Sequence, residues 1–320
     1  MLRGWPMPDG PAGLMALLAR TGWDAAHQNP LAGDASTRRY WRLSRDDGST
    51  AVLMDAAGDP AGTARFVRIA GHLSARSLSV PSILAADVEA GLLLLEDFGD
   101  AVFARVLDTA PELQNSLYSS AIDALSVLAT APTPKDVPVF RSPELVGTAA
   151  AALGWYPGVS DTARDEILGE LGDALASTDA QPRRLCLRDY HAENLIWLPE
   201  RDGVRRAGLL DFQDAVAGHP AYDLVSLLTD ARRDVAPGTR AAMTARFLVA
   251  TGIDADRFAA HAAALSAQRN LRILTQFARL ALRDGKPGYL RFMPRVGANL
   301  DDALAHPDLV RLRAAIAGAF

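Results

Sequence analysis

The stretch that decides the fold covers residues 185–214 and reads LCLRDYHAENLIWLPERDGVRRAGLLDFQD. Short apolar runs alternate in it with a polar loop and a charged tip, which is the pattern of short strands joined by a hairpin. Asp189 and Asn194 fall on the loop, and Asp211 follows the last apolar run. The stretch therefore predicts a hairpin that holds these three polar side chains at one end.

These side chains are of the types that phosphoryl transfer from ATP requires. The transfer depends mainly on positioning and on neutralising charge. Mg²⁺ takes oxygen ligands, usually one or two carboxylates beside phosphate oxygens and water. Asp211 can supply the carboxylate and Asn194 an amide oxygen, which leaves Asp189 to accept or orient the proton of the acceptor hydroxyl. A D-x-x-x-x-N spacing alone is weak, but the strand that ends in Asp-Phe-x-Asp makes the combination specific.

The same residues carry a resemblance to a known family. Residues 188–194, RDYHAEN, resemble the catalytic loop of the aminoglycoside-phosphotransferase family, a branch of the protein-kinase-like fold. Residues 210–214 resemble its metal-binding strand end, and residues 220–224 the helix that follows. The resemblance covers nearly the whole chain. It implies an α+β, two-lobe fold with a small N-terminal β-sheet lobe and a larger helical C-terminal lobe, and it implies ATP and Mg²⁺ as cofactors.

Within this family, the segments RDYHAENL and LLDFQDAVAGHPAYDLVSLL are most similar to bacterial amino-sugar kinases of cell-wall recycling. Those enzymes phosphorylate the anomeric hydroxyl of N-acetylmuramate and N-acetylglucosamine. The resemblance thus implies a small-molecule sugar substrate. Kinases of another small acceptor (an aminoglycoside, a choline-like alcohol or homoserine) are one alternative, and a non-catalytic nucleotide-binding protein is another.

The chain length of 320 residues exceeds one average domain and favours two lobes. We predict a nucleotide-binding lobe over 1–95, a catalytic and substrate-binding lobe over 96–320, and a hinge near 95–99. Apolar positions repeat every three to four residues in segments that we predict as helices. These segments are about 61–77, 112–130, 142–154, 161–178, 221–233, 239–250, 255–283 and 301–318.

The first lobe is expected to be a small sheet. Residues 31–43 predict a strand, a turn and a second strand, and a two-residue turn at Asp47-Gly48 precedes a third strand over 49–55.

The first of these turns carries Gly33, Ser36 and Thr37. Its backbone N–H groups and hydroxyls can point at phosphates, which makes it a candidate ATP-binding loop. An ordinary hairpin turn would have the same sequence pattern.

One feature of kinase-like folds is missing from the first lobe. A lysine usually follows this turn on the next strand and pairs with a glutamate on the following helix. Here Met54 stands where the lysine is expected, and the segment 61–77 contains no acidic residue. Arg38, Arg39 or Arg42 can supply the positive charge instead, because guanidinium binds phosphate as a planar fork. The same absence is the best argument for a non-catalytic protein.

The leucine run 92–95 leads into a polar segment that ends in glycine. In the resembled family the backbone of this segment binds the adenine edge, so Glu96 and Phe98 are candidate cofactor-binding residues. Glu96 has an equal alternative as a surface charge that bridges the lobes.

Further candidates lie beside the predicted catalytic loop. His191 and Glu193 can contact the sugar, or they can brace the loop. Asp214 is a candidate for substrate contact, for a second metal ligand or for support of the first ligand. We expect Asp223 to anchor its helix to the catalytic loop. A zinc hydrolase is disfavoured, because His-Ala-Glu lacks the i, i+4 spacing of a zinc pair.

Charge bears on the acceptor. Residues 265–297 contain seven basic side chains and one acidic side chain, Asp284. A polycationic aminoglycoside would be repelled there, whereas a neutral or anionic sugar would fit. The carboxylate of N-acetylmuramate can be held by an arginine through two hydrogen bonds. The alternative is that these arginines simply face water.

The remaining composition concerns location and partners. Cys186 is the only cysteine, which excludes an intramolecular disulfide and favours a reducing, cytoplasmic location. No apolar run approaches the ~20 residues that span a bilayer, and no signal peptide is recognisable. The net charge of −5 makes nucleic acid a poor partner. We expect no membrane, no nucleic acid and no obligate protein partner.

Overall fold

The computed structural model describes residues 13–31, 38–56, 58–156 and 158–319. In these residues the strands are β1 (His27–Leu31), β2 (Arg39–Ser44), β3 (Thr50–Asp55), β4 (Ile83–Asp87), β5 (Leu92–Glu96), β6 (Arg184–Cys186), β7 (Leu195–Trp197), β8 (Ala207–Leu209) and β9 (Val216–Gly218). The α-helices are α1 (Leu14–Thr21), α2 (Pro60–Ser74), α3 (Phe103–Thr109), α4 (Gln114–Thr130), α5 (Ser142–Leu153), α6 (Asp161–Ala176), α7 (Ala221–Leu228), α8 (Pro237–Thr251), α9 (Ala255–Leu282), α10 (Met293–Leu304) and α11 (Val310–Ala319).

The chain folds into two compact units. The sheet unit contains the described residues of Met1–Val102 together with Leu195–Asp214, and the helical unit contains those of Phe103–Asn194 and Ala215–Phe320. An N-terminal antiparallel sheet and a larger helical part confirm the predicted α+β class. The domain boundary at residues 95–96 stays a prediction.

The main sheet of the sheet unit has the strand order β1-β2-β3-β5-β4, and every neighbouring pair is antiparallel. Leu17 and Leu18 of α1 pack with Trp41 and Leu43 of β2 in one buried cluster, which also includes Leu94 of β5. Each fully buried leucine stabilises the fold by about 1.5–3 kcal/mol. This burial fixes the face that the strands present to the core.

The predicted turn between β2 and β3 is confirmed. Gly48 has a φ of 83°, a left-handed conformation that glycine adopts at little cost. The Asp47 carboxylate accepts hydrogen bonds from the Ser49 N–H at 2.8 Å and from the Ser49 hydroxyl at 2.6 Å. The local sequence therefore sets the register of this hairpin.

Helix α2 begins at Pro60 with Asp59 as its N-cap, and Asp59 Oδ1 accepts a hydrogen bond from the Gly62 N–H at 2.7 Å. A Cβ atom at position 62 would lie 1.9 Å from Asp59 Oδ2. Glycine at position 62 thus allows the Asp59 carboxylate to cap the helix end. Asp59 Oδ2 also lies 4.0 Å from Arg38 and 3.9 Å from Arg65.

The helical unit supports a second pair of short strands. Strands β6 and β9 are antiparallel, with Arg184 opposite Gly218 and Cys186 opposite Val216. Cys186 is buried, and its thiol donates a hydrogen bond to the His219 carbonyl at 3.2 Å. Burial raises the pKa of this thiol well above its usual value.

Two helix predictions need correction. The predicted helix over 221–233 ends at Leu228, because Asp230 Oδ1 accepts the Arg232 N–H at 2.8 Å and so favours a turn over a further helical residue. The predicted helix over 301–318 is wrong. Two helices, α10 and α11, occupy this region, and Pro307 separates them because proline disfavours helical backbone in the residue before it.

Candidate active site

The loop between β6 and β7 carries Asp189. Arg188 enters it with a φ of 72°, a left-handed conformation that costs a non-glycine residue about 1–3 kcal/mol. The loop closes in a 3₁₀ turn over Ala192–Asn194, and the Asn194 N–H donates to the His191 carbonyl at 2.9 Å. A strained backbone of this kind persists only where the surrounding structure fixes it.

Asp223 of α7 supplies that support. Its carboxylate accepts hydrogen bonds from the Leu187 N–H at 2.6 Å and from the Arg188 N–H at 2.9 Å, and the group is buried. Burial raises the pKa of Asp223 to about 7, while the two N–H donors act in the opposite direction. The prediction that Asp223 anchors its helix to the loop is confirmed.

A second support lies behind the first, and the sequence did not reveal it. The Ser226 hydroxyl donates to the Arg188 carbonyl at 3.4 Å and accepts from Arg269 Nη2 at 2.7 Å. Arg269 is 4% exposed, and burial lowers the pKa of its guanidinium. Only the burial of this side chain distinguishes it from the other arginines of its helix, and a sequence does not display burial of a single charged residue.

Asp189 and Asn194 meet within the helical unit. The Asn194 Nδ2 amide donates to the Asp189 carbonyl at 2.9 Å, so the amide nitrogen is occupied and the amide oxygen is the atom left for a cation. The Asp189 N–H donates to the Leu187 carbonyl at 2.9 Å. These bonds fix the backbone from which the Asp189 carboxylate extends.

His191 is buried, and desolvation lowers the pKa of its imidazole. Its Nε2 lies 3.5 Å from Asn194 Nδ2, and Nδ1 has no hydrogen-bond partner among the described residues. Glu193 is exposed. Sugar contact by either residue stays a prediction, as does the alternative of loop bracing.

Asp211 belongs to the sheet unit, where it follows β8. Its φ of 54° is left-handed, and its Oδ1 accepts a hydrogen bond from Gln213 Nε2 at 2.6 Å. Phe212 is fully buried, and its ring centroid lies 4.8 Å from that of Phe66 of α2. The buried ring anchors the turn, and the Asp211 side chain stays about half exposed at 48%.

Strand β8 and the hairpin tip before it contact the end of β5 and the segment that follows it. Glu96 Oε1 lies 2.5 Å from Arg201 Nη2, and Glu96 Oε2 accepts the Ser82 hydroxyl at 2.9 Å. A Cβ atom at Gly208 would lie 2.9 Å from the Phe98 ring, so glycine is what allows this ring to pack on the strand. The side chains of Glu96 and Phe98 thus have structural partners, and adenine binding by their backbone stays a prediction.

The candidate phosphate loop with Gly33, Ser36 and Thr37 lies outside the described residues. The candidate cations beside it are described, and they differ. Arg39 bonds to Asp55 Oδ2 at 2.6 Å. Arg38 lies 3.8 Å from Asp211 Oδ1 and 4.0 Å from Asp59 Oδ2.

Arg42, the third candidate cation, bonds to Asp97 at 2.7 Å and to Asp100 at 2.8 Å. Its guanidinium is thus engaged by two carboxylates. Of the three arginines, Arg38 is the one that the structure brings to Asp211.

Arg65 was missed at the level of sequence. It lies on α2, and its Nη2 is 3.7 Å from Asp214 Oδ1 and 3.9 Å from Asp59 Oδ2. The sequence feature that could have pointed to Arg65 is the composition of α2. Kinase-like folds place an acidic residue on this helix, whereas α2 carries arginines and no acidic residue.

Asp211 of the sheet unit and Asn194 of the helical unit each carry the type of oxygen donor that Mg²⁺ prefers. Asp211 offers a carboxylate and Asn194 an amide oxygen, both hard oxygen ligands. Among the described residues no group of three or more His, Cys, Asp or Glu side chains could hold a metal ion.

The arginines of 265–297 are partly engaged by other groups. Arg295 bonds to Asp234 at 2.5 Å, Arg279 lies 3.7 Å from Asp284, and Arg283 stacks on Trp155 at 3.8 Å. Thr148, Ala151, Ala152, Arg272, Gln276 and Arg279 line a cavity of about 230 Å³ within the helical unit.

No helix in the described parts of the chain is long and apolar enough to cross a membrane.

The sequence profile of the phosphotransferase enzyme family matches residues 27–262. This chain belongs to that family. It is therefore an ATP-dependent kinase, as the loop and the strand end predict.

Two relatives support this assignment over nearly their full length. An N-acetylmuramate/N-acetylglucosamine kinase of Caulobacter vibrioides is 40% identical, with 93% of each chain covered. A protein of the same name from Pseudomonas aeruginosa is 33% identical, with 93% of this chain and 91% of that protein covered. A choline/ethanolamine kinase family protein from Mesorhizobium loti has a similar fold, with a TM-score of 0.64 and 17% identity over 96% of this chain and 97% of that chain.

Proposed function

We propose that this chain transfers the γ-phosphoryl group of ATP to the anomeric hydroxyl of N-acetylmuramate or N-acetylglucosamine. The observation that carries the proposal is the 40% identity, over 93% of both chains, to a kinase named for these two sugars. The braced loop with Asp189 supports it, since a carboxylate held in a fixed position can meet a hydroxyl in one orientation.

Asp189 is the group that we assign to the acceptor. Its carboxylate would accept a hydrogen bond from the sugar hydroxyl and take up the proton as the new O–P bond forms and the bond between the γ-phosphorus and the oxygen of the departing ADP breaks. A hemiacetal hydroxyl is more acidic than an ordinary alcohol, so a carboxylate is a sufficient base. The bonds that hold Asp223 to Leu187 and Arg188 keep the Asp189 backbone in place.

Asn194 and Asp211 are the residues that would hold Mg²⁺. When bound, the ion neutralises charge on the phosphate oxygens. Gln213 keeps the Asp211 carboxylate oriented through the 2.6 Å hydrogen bond. Asn194 contributes its oxygen because its amide nitrogen is committed to the Asp189 carbonyl.

Charge supports a neutral or anionic sugar over a cationic acceptor. The cavity in the helical unit is lined by Arg272 and Arg279, and no acidic side chain lies among its described lining residues. Arg269 adds a buried positive charge to the same helix. An acceptor that occupied this cavity would meet positive charge, which disfavours a polycation and favours the carboxylate of N-acetylmuramate.

The test is ADP release in the presence of ATP, Mg²⁺ and one acceptor at a time. The acceptors are N-acetylmuramate, N-acetylglucosamine, kanamycin and choline, and Asp189→Asn is the control variant. We expect release with the two amino sugars, and none with the variant or with excess EDTA. Release with kanamycin or choline alone would overturn the assigned acceptor.

A further inference from the structure

The cavity of about 230 Å³ in the helical unit lies between α5 and α9. The α5 side contributes Thr148, Ala151 and Ala152, and the α9 side contributes Arg272, Gln276 and Arg279. The two alanines leave the space open, because their side chains end at Cβ. Two guanidinium groups, one amide and one hydroxyl supply the polar atoms, and no lining residue is acidic. The cavity is therefore polar and positively charged.

The arginines of α9 differ in how their charge is engaged. Arg279 lies 3.7 Å from the Asp284 carboxylate, and Arg269 is buried with its Nη2 at 2.7 Å from the Ser226 hydroxyl. Arg272 forms no ion pair with a described residue, and within that part of the chain its one hydrogen bond, from Nη1 to Gln276 Oε1, is long at 3.3 Å. Arg272 thus brings to the cavity a charge that no described carboxylate neutralises.

Gln276 orients this guanidinium and keeps a donor of its own. Its Oε1 faces Arg272, and its Nε2 makes no hydrogen bond to a described residue. The Thr148 hydroxyl is already engaged, since it donates to the Leu145 carbonyl at 2.8 Å and accepts from Gln268 Nε2 at 3.0 Å. The donors that remain are the planar fork of Arg272 and the amide N–H groups of Gln276. A carboxylate is the group that such a fork binds through two parallel hydrogen bonds.

Helix α9 connects the cavity to the loop that carries Asp189. Arg272 and Arg269 are three residues apart, which is about 4.5 Å along a helix axis and places both on one side of the helix. Arg269 bonds to Ser226, whose hydroxyl donates to the Arg188 carbonyl at 3.4 Å. All of these residues belong to the helical unit. The cavity is thus lined by a residue one helical turn from the arginine that supports the catalytic loop.

The two proposed acceptors differ by one group. N-acetylmuramate carries a lactyl ether on the oxygen of ring carbon C3, where N-acetylglucosamine has a hydroxyl, so only N-acetylmuramate has a carboxylate. The anomeric carbon C1 lies on the far side of C2 from this ether. An acceptor whose anomeric hydroxyl meets Asp189 therefore carries its carboxylate several bonds away from the reacting oxygen. A guanidinium one helical turn beyond the support of the loop suits this separation.

We propose that the cavity between α5 and α9 binds the carboxylate of the acceptor. Arg272 holds the carboxylate through two hydrogen bonds, and Gln276 positions the guanidinium. The inference rests on the proposed function and deepens it, because it assigns the discrimination between the two amino sugars to one side chain. Arg272 contributes to the binding of N-acetylmuramate and has no charged partner on N-acetylglucosamine.

Steady-state kinetics with three acceptors test the proposal: N-acetylmuramate, its neutral carboxamide and N-acetylglucosamine, each with ATP and Mg²⁺. The proteins are the wild type, Arg272→Met, Arg272→Lys and Arg257→Met. The last is the matched control, because Arg257 is exposed on the same helix. We expect Arg272→Met to raise the KM for N-acetylmuramate about 10- to 100-fold with little change in kcat, since a remote binding contact is lost.

The other acceptors and variants isolate the carboxylate. The KM for N-acetylglucosamine is expected to change little in Arg272→Met, and the carboxamide is expected to bind the wild type more weakly than N-acetylmuramate does. The carboxamide should lose nothing further in Arg272→Met, because its contact with the arginine is already weakened. Arg272→Lys should recover part of the loss, since an ammonium keeps the charge without the planar fork. Arg257→Met should match the wild type with all three acceptors.

Turnover of N-acetylglucosamine shows that each variant is folded. An unchanged ratio of the KM values for the two sugars in Arg272→Met would overturn the assignment of the carboxylate. An equal loss with both sugars would also overturn it, since Arg272 would then support the fold or bind a group that the sugars share. A wild type that releases ADP with none of the acceptors would refute the proposed function and this inference with it.

Discussion

The loop over residues 187–194 and the cluster of Arg38, Arg65, Asp59, Asp211 and Asp214 handle charge in different ways. In the loop, backbone and amide hydrogen bonds of 2.6–2.9 Å fix the chain around Asp189. In the cluster, the arginine nitrogens lie 3.7–4.0 Å from the carboxylate oxygens, which is longer than a direct hydrogen bond. A group that must meet one hydroxyl gains from a fixed position. A carboxylate that is to bind a metal ion, as proposed for Asp211, needs an oxygen that no direct bond to an arginine occupies.

The largest expected effect is at Asp189. Asp189→Asn removes the proton acceptor while keeping size and shape, so kcat is expected to fall about 10²- to 10⁴-fold. Because the loop bonds involve its backbone, the free energy of unfolding and the nucleotide Kd are expected to stay at wild-type values. Steady-state kinetics and urea denaturation measure both. A kcat near the wild-type value would show that another group accepts the proton of the acceptor hydroxyl.

Asp211 is expected to have the next largest effect. Asp211→Asn removes the anionic metal ligand, and we expect kcat/KM to fall about 100-fold and the Mg²⁺ concentration at half-maximal rate to rise. Asp214→Asn is the matched control in the same cluster and should have a smaller effect. A Mg²⁺ titration of both variants separates them. Equal losses would make Asp214 a ligand of the same rank.

Asp223 tests the bracing of the loop. Asp223→Asn offers one oxygen to two N–H donors, and a buried N–H that loses its partner costs about 1–3 kcal/mol. We expect the free energy of unfolding to fall by about that amount, and kcat to fall about 10-fold as Asp189 loses its fixed position. Urea denaturation and kinetics check both values. Unchanged kcat in a destabilised variant would separate bracing from catalysis.

The smallest expected effect on activity concerns the buried pair of His219, which directly follows β9, and His261 of α9. His219 accepts the Ala221 N–H at Nδ1 and approaches His261 at 3.1 Å, and burial lowers the pKa of His219 to about 3. The unfolded chain, with a histidine pKa near 6.5, then binds more protons than the folded chain between pH 6.5 and 3. The stability contributed by neutral His219 is present above pH 6.5 and is lost as the pH falls through this window.

His219→Gln removes that dependence. The difference in unfolding free energy between the wild type and the variant should shrink by about 1.4 kcal/mol per pH unit below pH 6.5. Urea denaturation at several pH values measures the slope, while activity at neutral pH should change little. A difference that does not vary with pH would place the titration on another group.

The sequence predicted the parts of this molecule that local chemistry determines. The turn at Asp47-Gly48 depends on one glycine and one short acidic side chain, and the strands around residues 195–209 depend on short apolar runs between polar segments. The end of α10 before Pro307 also depends on a local feature, the proline. The apolar spacing continues across Pro307, and for that reason the sequence predicted one helix there instead of two. Such elements can be predicted from neighbours in sequence.

Long-range placement could not be predicted in the same way. Arg65 and Asp214 are far apart in sequence, and only the fold of the sheet unit brings them to 3.7 Å. Arg38, Arg39 and Arg42 look alike in sequence, and the carboxylates that separate them come from other strands and loops. The choice among similar charged residues therefore required the structure.

The central claim is that the phosphate goes to the anomeric oxygen. The most direct measurement is the phosphorus NMR spectrum of the product formed from ATP and N-acetylglucosamine labelled with ¹³C at C1. We predict a phosphate ester signal that is split by coupling to the labelled carbon, and no such signal with Asp189→Asn. An ester signal without that coupling would place the phosphate on another hydroxyl and contradict the assignment.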